Sequence, residues 1–235
     1  MMTVWLSGGM RKGQFRNERK YYLAPCEAAT LRSRVACVMC PDAHAKGVYK
    51  ISSLYFDDVY DTALREKLSG VAVRDKWRVR WYDDQLDFIR LERKHKENEM
   101  SWKTHVRVTK EQLERFMQGD MEAAADVPGE MGKLFHAVHR ARLLRPVVVV
   151  IYRREAFHYE PGNVRITFDT RLCAVRPNSL TALPVSTDGL TILEVKYDHV
   201  LPNVVRSLFS GTRLTQLALS KYVMARFTLL RYGCA

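Results

Sequence analysis

The chain has 235 residues, 47% of them hydrophobic, which allows a sizeable core and excludes global disorder. Its formal net charge of +12 favours a polyanionic partner: nucleic acid, polyphosphate, nucleotides or an anionic membrane surface. There is no run of about 18 apolar residues to span a membrane and no apolar signal-peptide core, so a cytoplasmic location is expected.

Residues 1–13 are expected to form a flexible arm ahead of a single domain over 14–235. The first strand is Arg16 to Leu23, with Glu18, Lys20 and Tyr22 on one face and Pro25 ending it. Cys26 to Met39 has helical spacing and Pro41 stops it, with a loop over 42–47. Val48 to Asp57 is a strand, and Tyr60 to Leu68 a short helix. Arg74 to Tyr82 is a strand whose side chains alternate: Arg74, Lys76, Arg78 and Arg80 on one face, Val73, Trp77, Val79 and Trp81 on the other. Asp83-Asp84 turns the chain into Asp87 to Lys96, where Glu92, Lys94 and Lys96 share a face. Glu97-Asn98-Glu99 is the next turn, and Trp102 to Val108 places Lys103, His105 and Arg107 together.

Thr109 with Gln112 three residues on reads as a capping box for a helix to about Met117. Residues 118–132 read as a linker with a weak helical tendency and Lys133 to Leu144 as a helix. Three strands follow: Val147 to Phe157 with Tyr152 and Arg154 on one face, Val164 to Leu172 with Arg165, Thr167 and Asp169, and Thr191 to Tyr197 with Glu194 and Lys196. Residues 176–189 read as loop, and 203–230 as one helical region holding Ser220-Lys221-Tyr222. About eight strands joined largely by hairpin turns imply an α+β fold: an eight-stranded antiparallel β-barrel tunnel with flanking helices.

Of the five cysteines, Cys37 and Cys40 form a CxxC, but no second pair completes a zinc site. The recurrent feature is cationic. Strand after strand presents Lys or Arg at alternate positions with an occasional carboxylate. On the surface this would be a solvated basic sheet. Inside a barrel, like charges need pairing or an anionic ligand, which favours phosphates held by Arg and Lys, with carboxylates for divalent metal. The cations alternate with apolar residues inside strands and no aromatic stacking platform is evident, which argues against nucleic acid as partner.

In order along the chain, Arg16-x-Glu18-x-Lys20-Tyr21, Ser53-Leu54-Tyr55-Phe56-Asp57, Lys76-x-Arg78-x-Arg80, Leu91-Glu92-Arg93-Lys94, Tyr152-x-Arg154-x-Ala156-Phe157, Arg165-Ile166-Thr167-Phe168-Asp169, Leu193-Glu194-Val195-Lys196-Tyr197 and Ser220-Lys221-Tyr222 resemble the VTC domain. This is the catalytic domain of the vacuolar transporter chaperone polyphosphate polymerase and its bacterial relatives, among the triphosphate tunnel metalloenzymes. The resemblance implies transfer of the ATP γ-phosphate onto a growing inorganic polyphosphate chain, with Mn²⁺ or Mg²⁺. By motif, Arg78, Arg80, Lys94, Arg154, Arg165 and Glu194 would be catalytic. Lys20, Lys76, Lys96, Lys196 and Lys221 would bind phosphate, and Glu194 with Glu18 would take the metal. Coupling to translocation would require a separate membrane protein partner. The alternatives are a tripolyphosphatase or nucleoside triphosphatase of the same superfamily and a non-catalytic polyphosphate-binding module. Hydrolases of this group resemble one another in an E-x-E-x-K first strand. Here Arg16 stands at the first glutamate position, which favours the polymerase.

Overall fold

The computed structural model describes residues 16–42, 47–83, 85–98 and 100–232. The expected arm over 1–13, Asp84 of one turn and Glu99 of the next lie outside the described residues. Two compact units emerge: one holds Ser53–Trp81 and Gln85–Val149, the other the described residues of Phe15–Ser52, Tyr82–Asp84 and Val150–Ala235.

The second unit contains β1 (Asn17–Leu23), α1 (Pro25–Val38) and β2 (Cys40–Pro41). Strand β3 (Tyr49–Asp57) runs from it into the first unit, and β7 (Arg145–Tyr159) runs back. It then adds β8 (Val164–Val175), β9 (Ala182–Pro184) and β10 (Thr191–Tyr197), and closes with α5 (Asn203–Ser207) and α6 (Lys221–Arg231). The strand order is β1-β10-β8-β7, antiparallel at β1/β10 and β10/β8. The back of this sheet is apolar: Tyr21, Leu23, Ile166, Phe168, Leu193 and Val195 pack against Ala28, Leu31 and Val35 of α1. Because side chains alternate, the positions between them (Glu18, Lys20, Thr167, Glu194, Lys196) face the other way.

The first unit holds α2 (Thr62–Leu68), β4 (Val73–Tyr82), β5 (Gln85–Glu97), β6 (Met100–Val108), α3 (Lys110–Met117) and α4 (Gly129–Arg142). Its strand order is β3-β4-β5-β6, with β5 and β6 antiparallel. An aromatic cluster holds helices to sheet. Phe135 of α4 lies 5.1 Å from Phe56 of β3, 5.0 Å from Trp77 of β4 and 5.9 Å from Phe116 of α3, centroid to centroid. Such pairs add stabilisation beyond the area they bury. The expected capping box is present: Gln112 N–H donates to Thr109 Oγ1 at 3.1 Å, and Thr109 N–H donates to Gln112 Oε1 at 2.8 Å. The eight strands of the two orders, mainly antiparallel with flanking helices, make an α+β fold.

Several expectations change. Pro25 opens α1 instead of only ending β1; at the first helical position its missing N–H has no partner to lose. Residues 118–132 contain a 3₁₀ turn, Met121–Asp126, and the start of α4 at Gly129. The loop 176–189 includes β9, paired with β8. The region 203–230 is two helices, not one. Gly211 takes a left-handed φ of +78°, and the following segment forms a bridge from Gln216 to Tyr21. Leu217 N–H donates to Lys20 C=O at 2.9 Å, so the edge of β1 takes hydrogen bonds a helix would have used internally.

Gly132 in α4 has a packing reason to be glycine. A Cβ there would lie 1.9 Å from the Val127 carbonyl oxygen, a backbone atom that cannot swing aside. Gly132→Ala is therefore expected to destabilise by about 1–3 kcal/mol. A thermal melt tests it, and an unchanged or raised midpoint would refute the packing argument.

Candidate functional site

In the second unit the charged face of the sheet is a compact network. Across β1 and β10, Glu18 lies opposite Lys196 and Lys20 opposite Glu194. Lys20 Nζ is 2.9 Å from Glu18 Oε1 and 3.5 Å from Glu194 Oε1. Lys196 Nζ is 3.5 Å from Glu194 Oε1, and Arg154 Nη2 donates to Glu194 Oε2 at 3.2 Å. Arg154 also forks onto Asp169, Nε to Oδ1 at 2.6 Å and Nη2 to Oδ2 at 2.7 Å. Lys221, the first residue of α6, completes it with Nζ 2.6 Å from Asp169 Oδ2. The extended segment ahead of α6 is what delivers Lys221 here; a continuous helix over 203–230 would have no such segment.

Burial alone would raise the Glu194 carboxyl, but Lys196 and Lys20 outweigh it and hold the group well below the usual carboxylate range. Burial likewise pushes Asp169 up, and Arg154 and Lys221 bring it down. Burial would lower the Lys20 ammonium; Glu194 and Glu18 reverse that and raise it. Glu194, Asp169 and Lys20 are therefore charged at neutral pH. Four cations (Lys20, Arg154, Lys196, Lys221) stand against three carboxylates (Glu18, Glu194, Asp169).

Arg165 lies opposite Lys196 across β8 and β10, yet its guanidinium turns to Asp42 at 2.5 Å and the Tyr49 hydroxyl at 3.3 Å. Arg16 bonds the Asn163 carbonyl oxygen and sits 3.6 Å from Asp198. Arg16, ahead of β1, is thus a cation tied to its own acid.

The first unit carries a second cluster around one buried carboxylate. Glu92 Oε2 accepts from Arg78 Nε at 2.7 Å, and Lys103 Nζ lies 2.5 Å from Oε1. Arg78 Nη1 also donates to the Tyr55 hydroxyl at 2.9 Å, and Arg80 Nε to Ser53 Oγ at 3.0 Å. Burial would raise Glu92; Arg78, Arg80 and Lys103 reverse it and hold the carboxyl far below its ordinary range. Burial pushes the Lys103 ammonium down to about 7; Glu92 opposes the shift, while Arg78 and Arg80 reinforce it. With 45% of this side chain in solvent, water screens part of that effect. Lys76 and Lys96 are half-buried and Lys94 is exposed on these strands.

The Lys103 shift gives a signed expectation. A lysine whose folded value is lowered binds fewer protons folded than unfolded between about pH 7 and 10.5, so its contribution to stability rises with pH across that window. Lys103 gains its charge as pH falls through about 7, so polyanion binding is expected to tighten there. Binding of tripolyphosphate between pH 6 and 8.5 checks this against Lys103→Met. An identical pH profile in the variant would remove Lys103 as the cause.

Of the residues singled out in the sequence, the structure places Glu18, Lys20, Arg154, Glu194, Lys196 and Lys221 in one network, and Arg78 and Arg80 around Glu92. Asp169 and Glu92, the buried acids that organise the two clusters, were read only among the carboxylates of the cationic faces and not as named site residues. Asp42 was read only as loop.

A family model described as the VTC domain matches residues 15–230. The chain belongs to the VTC domain family. Among solved structures, a candidate adenylate cyclase from Vibrio parahaemolyticus aligns with a TM-score of 0.51 at 11% identity, covering 91% of this chain and 98% of its own. At that identity the likeness shows the fold alone. A candidate adenylate cyclase from Bacillus halodurans aligns at 0.46 with 12% identity, covering 94% of this chain and 91% of its own. A Pyrococcus horikoshii protein aligns at 0.47 with 14% identity, covering 91% and 99%. No protein of curated function matches the sequence.

Whether this VTC domain's donors suit a divalent metal can be read from Glu18 and Glu194. Their carboxyl groups lie within hydrogen-bonding reach of each other. Among the described residues no group of three or more His, Cys, Asp or Glu side chains could hold an ion alone. Two hard oxygen donors suit Mg²⁺ or Mn²⁺, which commonly takes one or two carboxylates and completes its shell with water and substrate phosphates. The two carboxylates fit a divalent ion that completes its shell with other oxygen ligands.

Proposed function

We propose that this VTC domain is a polyphosphate polymerase that transfers the γ-phosphate of ATP to inorganic polyphosphate. The observation that carries the reading is the excess of fixed cations around few carboxylates. Glu92 alone faces Arg78, Arg80 and Lys103, and the Glu194 network holds four cations against three acids. Buried like charges at this density call for a dense anion.

In the transfer, a terminal oxygen of the polyphosphate chain attacks the γ-phosphorus, and the bond from that phosphorus to the bridging oxygen breaks. ADP leaves with that oxygen and its electron pair. No protein nucleophile is needed; positioning and charge neutralisation do the work. Within its own unit we assign Arg154 to phosphate oxygens, where guanidinium forks match phosphate geometry, and by motif Arg78 and Arg80 take phosphate in theirs. Lys20, Lys196 and Lys221 hold neighbouring phosphates. Glu194 and Glu18 would hold a divalent ion, which would supply charge neutralisation on the transferred group. Lys76, Lys94, Lys96 and Arg165 belong to the same assignment by motif. Among the described residues no helix is long and apolar enough to cross a membrane. A cytoplasmic site of action, with a separate membrane protein for any export, remains part of this proposal.

The rival is hydrolysis of a triphosphate by the same machinery. Arg16 in place of a first-strand glutamate removes one acid and speaks against it. The test is to incubate the protein with ATP and Mn²⁺ or Mg²⁺, following polyphosphate on a gel and orthophosphate in parallel. Polyphosphate ladders are expected. Orthophosphate without ladders would replace the polymerase by a hydrolase. Neither product, with polyphosphate still bound, would leave a binding module.

A further inference from the structure

One cationic group in the first unit lies outside the machinery assigned above. On β5, Phe88, Arg90 and Glu92 occupy alternate positions and share a face. Arg90 lies directly opposite Arg107 of β6, and Glu92 opposite His105. The Arg90 guanidinium carbon is 3.9 Å from the centroid of the Phe88 ring, and that of Arg107 is 4.9 Å from the same ring. Like charges directly opposite across two strands are destabilising. Among the described residues no carboxylate lies in an ion pair with either guanidinium; the ring is what they share. Stacking compensates part of the repulsion and fixes both planes, while leaving the N–H edges, the donors that match phosphate oxygens, pointing outward.

The direction of the stack matters. Both heads lean toward the Phe88 row and away from Glu92. Phe88 and Glu92 are four residues apart on the strand, about 14 Å at 3.4 Å per residue. Three linked phosphates gathered at Glu92, Arg78 and Lys103 do not bridge that gap. A longer chain does.

We infer that Arg90 and Arg107, held on Phe88, form an additional phosphate subsite that engages long polyphosphate and not a triphosphate, and so gives the domain its preference for chain length. This rests on the reading that the domain binds polyphosphate. Lysine at either position would lack the planar stack, which is why arginine at both is informative.

The experiment compares binding of tripolyphosphate and of long-chain polyphosphate to the full chain and to the R90Q/R107Q variant, by calorimetry at fixed ionic strength. Long-chain affinity is expected to fall by about tenfold or more, given the strength of charge-assisted hydrogen bonds. Tripolyphosphate affinity is expected to change less than about twofold, since it does not reach the pair. F88L, which keeps both charges but removes the ring, is expected to lose part of the long-chain preference. Melting curves establish that each variant folds; should the double variant fail, R107Q alone, at an exposed position, carries the comparison. Equal losses for both ligands, or none, would overturn the subsite while leaving the binding function standing. A wild-type chain that binds neither ligand would overturn both.

Discussion

Replacing Arg154 by Met is expected to destabilise the protein by about 3–5 kcal/mol, because it strands two buried carboxylates at once. Arg154 hydrogen-bonds both Asp169 and Glu194, whose side chains are 1% and 7% exposed. Methionine replaces much of the volume, so the loss is electrostatic in origin and not a cavity effect. Lys221 and Lys20 remain, Lys221 in an ion pair with Asp169 and Lys20 in one with Glu194, but neither replaces the guanidinium fork. The pH dependence identifies the cause. Asp169 and Glu194 have folded values below their unfolded ones, so the stability they contribute is present above about pH 4 and lost as pH falls through their folded values. Removing Arg154 moves both values upward, so the gap between wild type and variant should shrink in acid. Urea melts at pH 7 and pH 3.5 measure this. Adding Asp169→Asn to the variant should recover part of the loss, since it removes one stranded charge. A pH-independent gap, or a loss under 1 kcal/mol at pH 7, would mean that the network does not hold the sheet together.

The same network shows where the sequence was legible. Alternation is a local property, so the faces of β1, β4, β5 and β10 could be read directly: Lys20 with Glu18, Arg78 with Arg80, Glu194 with Lys196. The capping box at Thr109 is equally local. Pairing between strands is not. Nothing local to β7 says that Arg154 will fork onto Asp169, or that Arg165, on the same face as Asp169, will turn to Asp42 instead. Lys221 was reached only through its motif, because its place depends on a break in the helical region 203–230 that Gly211 and the edge of β1 impose. Apolar spacing continued through that region, and an edge strand offering hydrogen bonds overrode it. Glu92 and Asp169 were visible as acids among cations. Their organising role follows only from burial, which separates a carboxylate that gathers three cations from one that meets water.

Glu194→Gln separates binding from transfer. Glutamine has the same shape and can still accept from Arg154, so the fold is expected to survive, with a smaller stability change than Arg154→Met. What disappears is one negative charge next to Lys20, Lys196 and Arg154, and one of two donors assigned to the metal. The two losses act in opposite directions. Without divalent metal, the network gains a net positive charge, so polyphosphate should bind as tightly as in wild type or more tightly. With ATP and Mn²⁺, the transfer rate should fall at least about a hundredfold, since metal neutralisation of the transferred phosphate contributes several kcal/mol to the barrier. Tight binding with abolished transfer is the signature of a metal-holding acid inside a phosphate site. If binding and transfer fell together, Glu194 would be a structural counter-ion for its lysines. If transfer survived, the metal assignment would pass away from Glu194 altogether. The comparison reads two quantities of opposite sign from one substitution, so a protein merely weakened by the change cannot imitate the expected result.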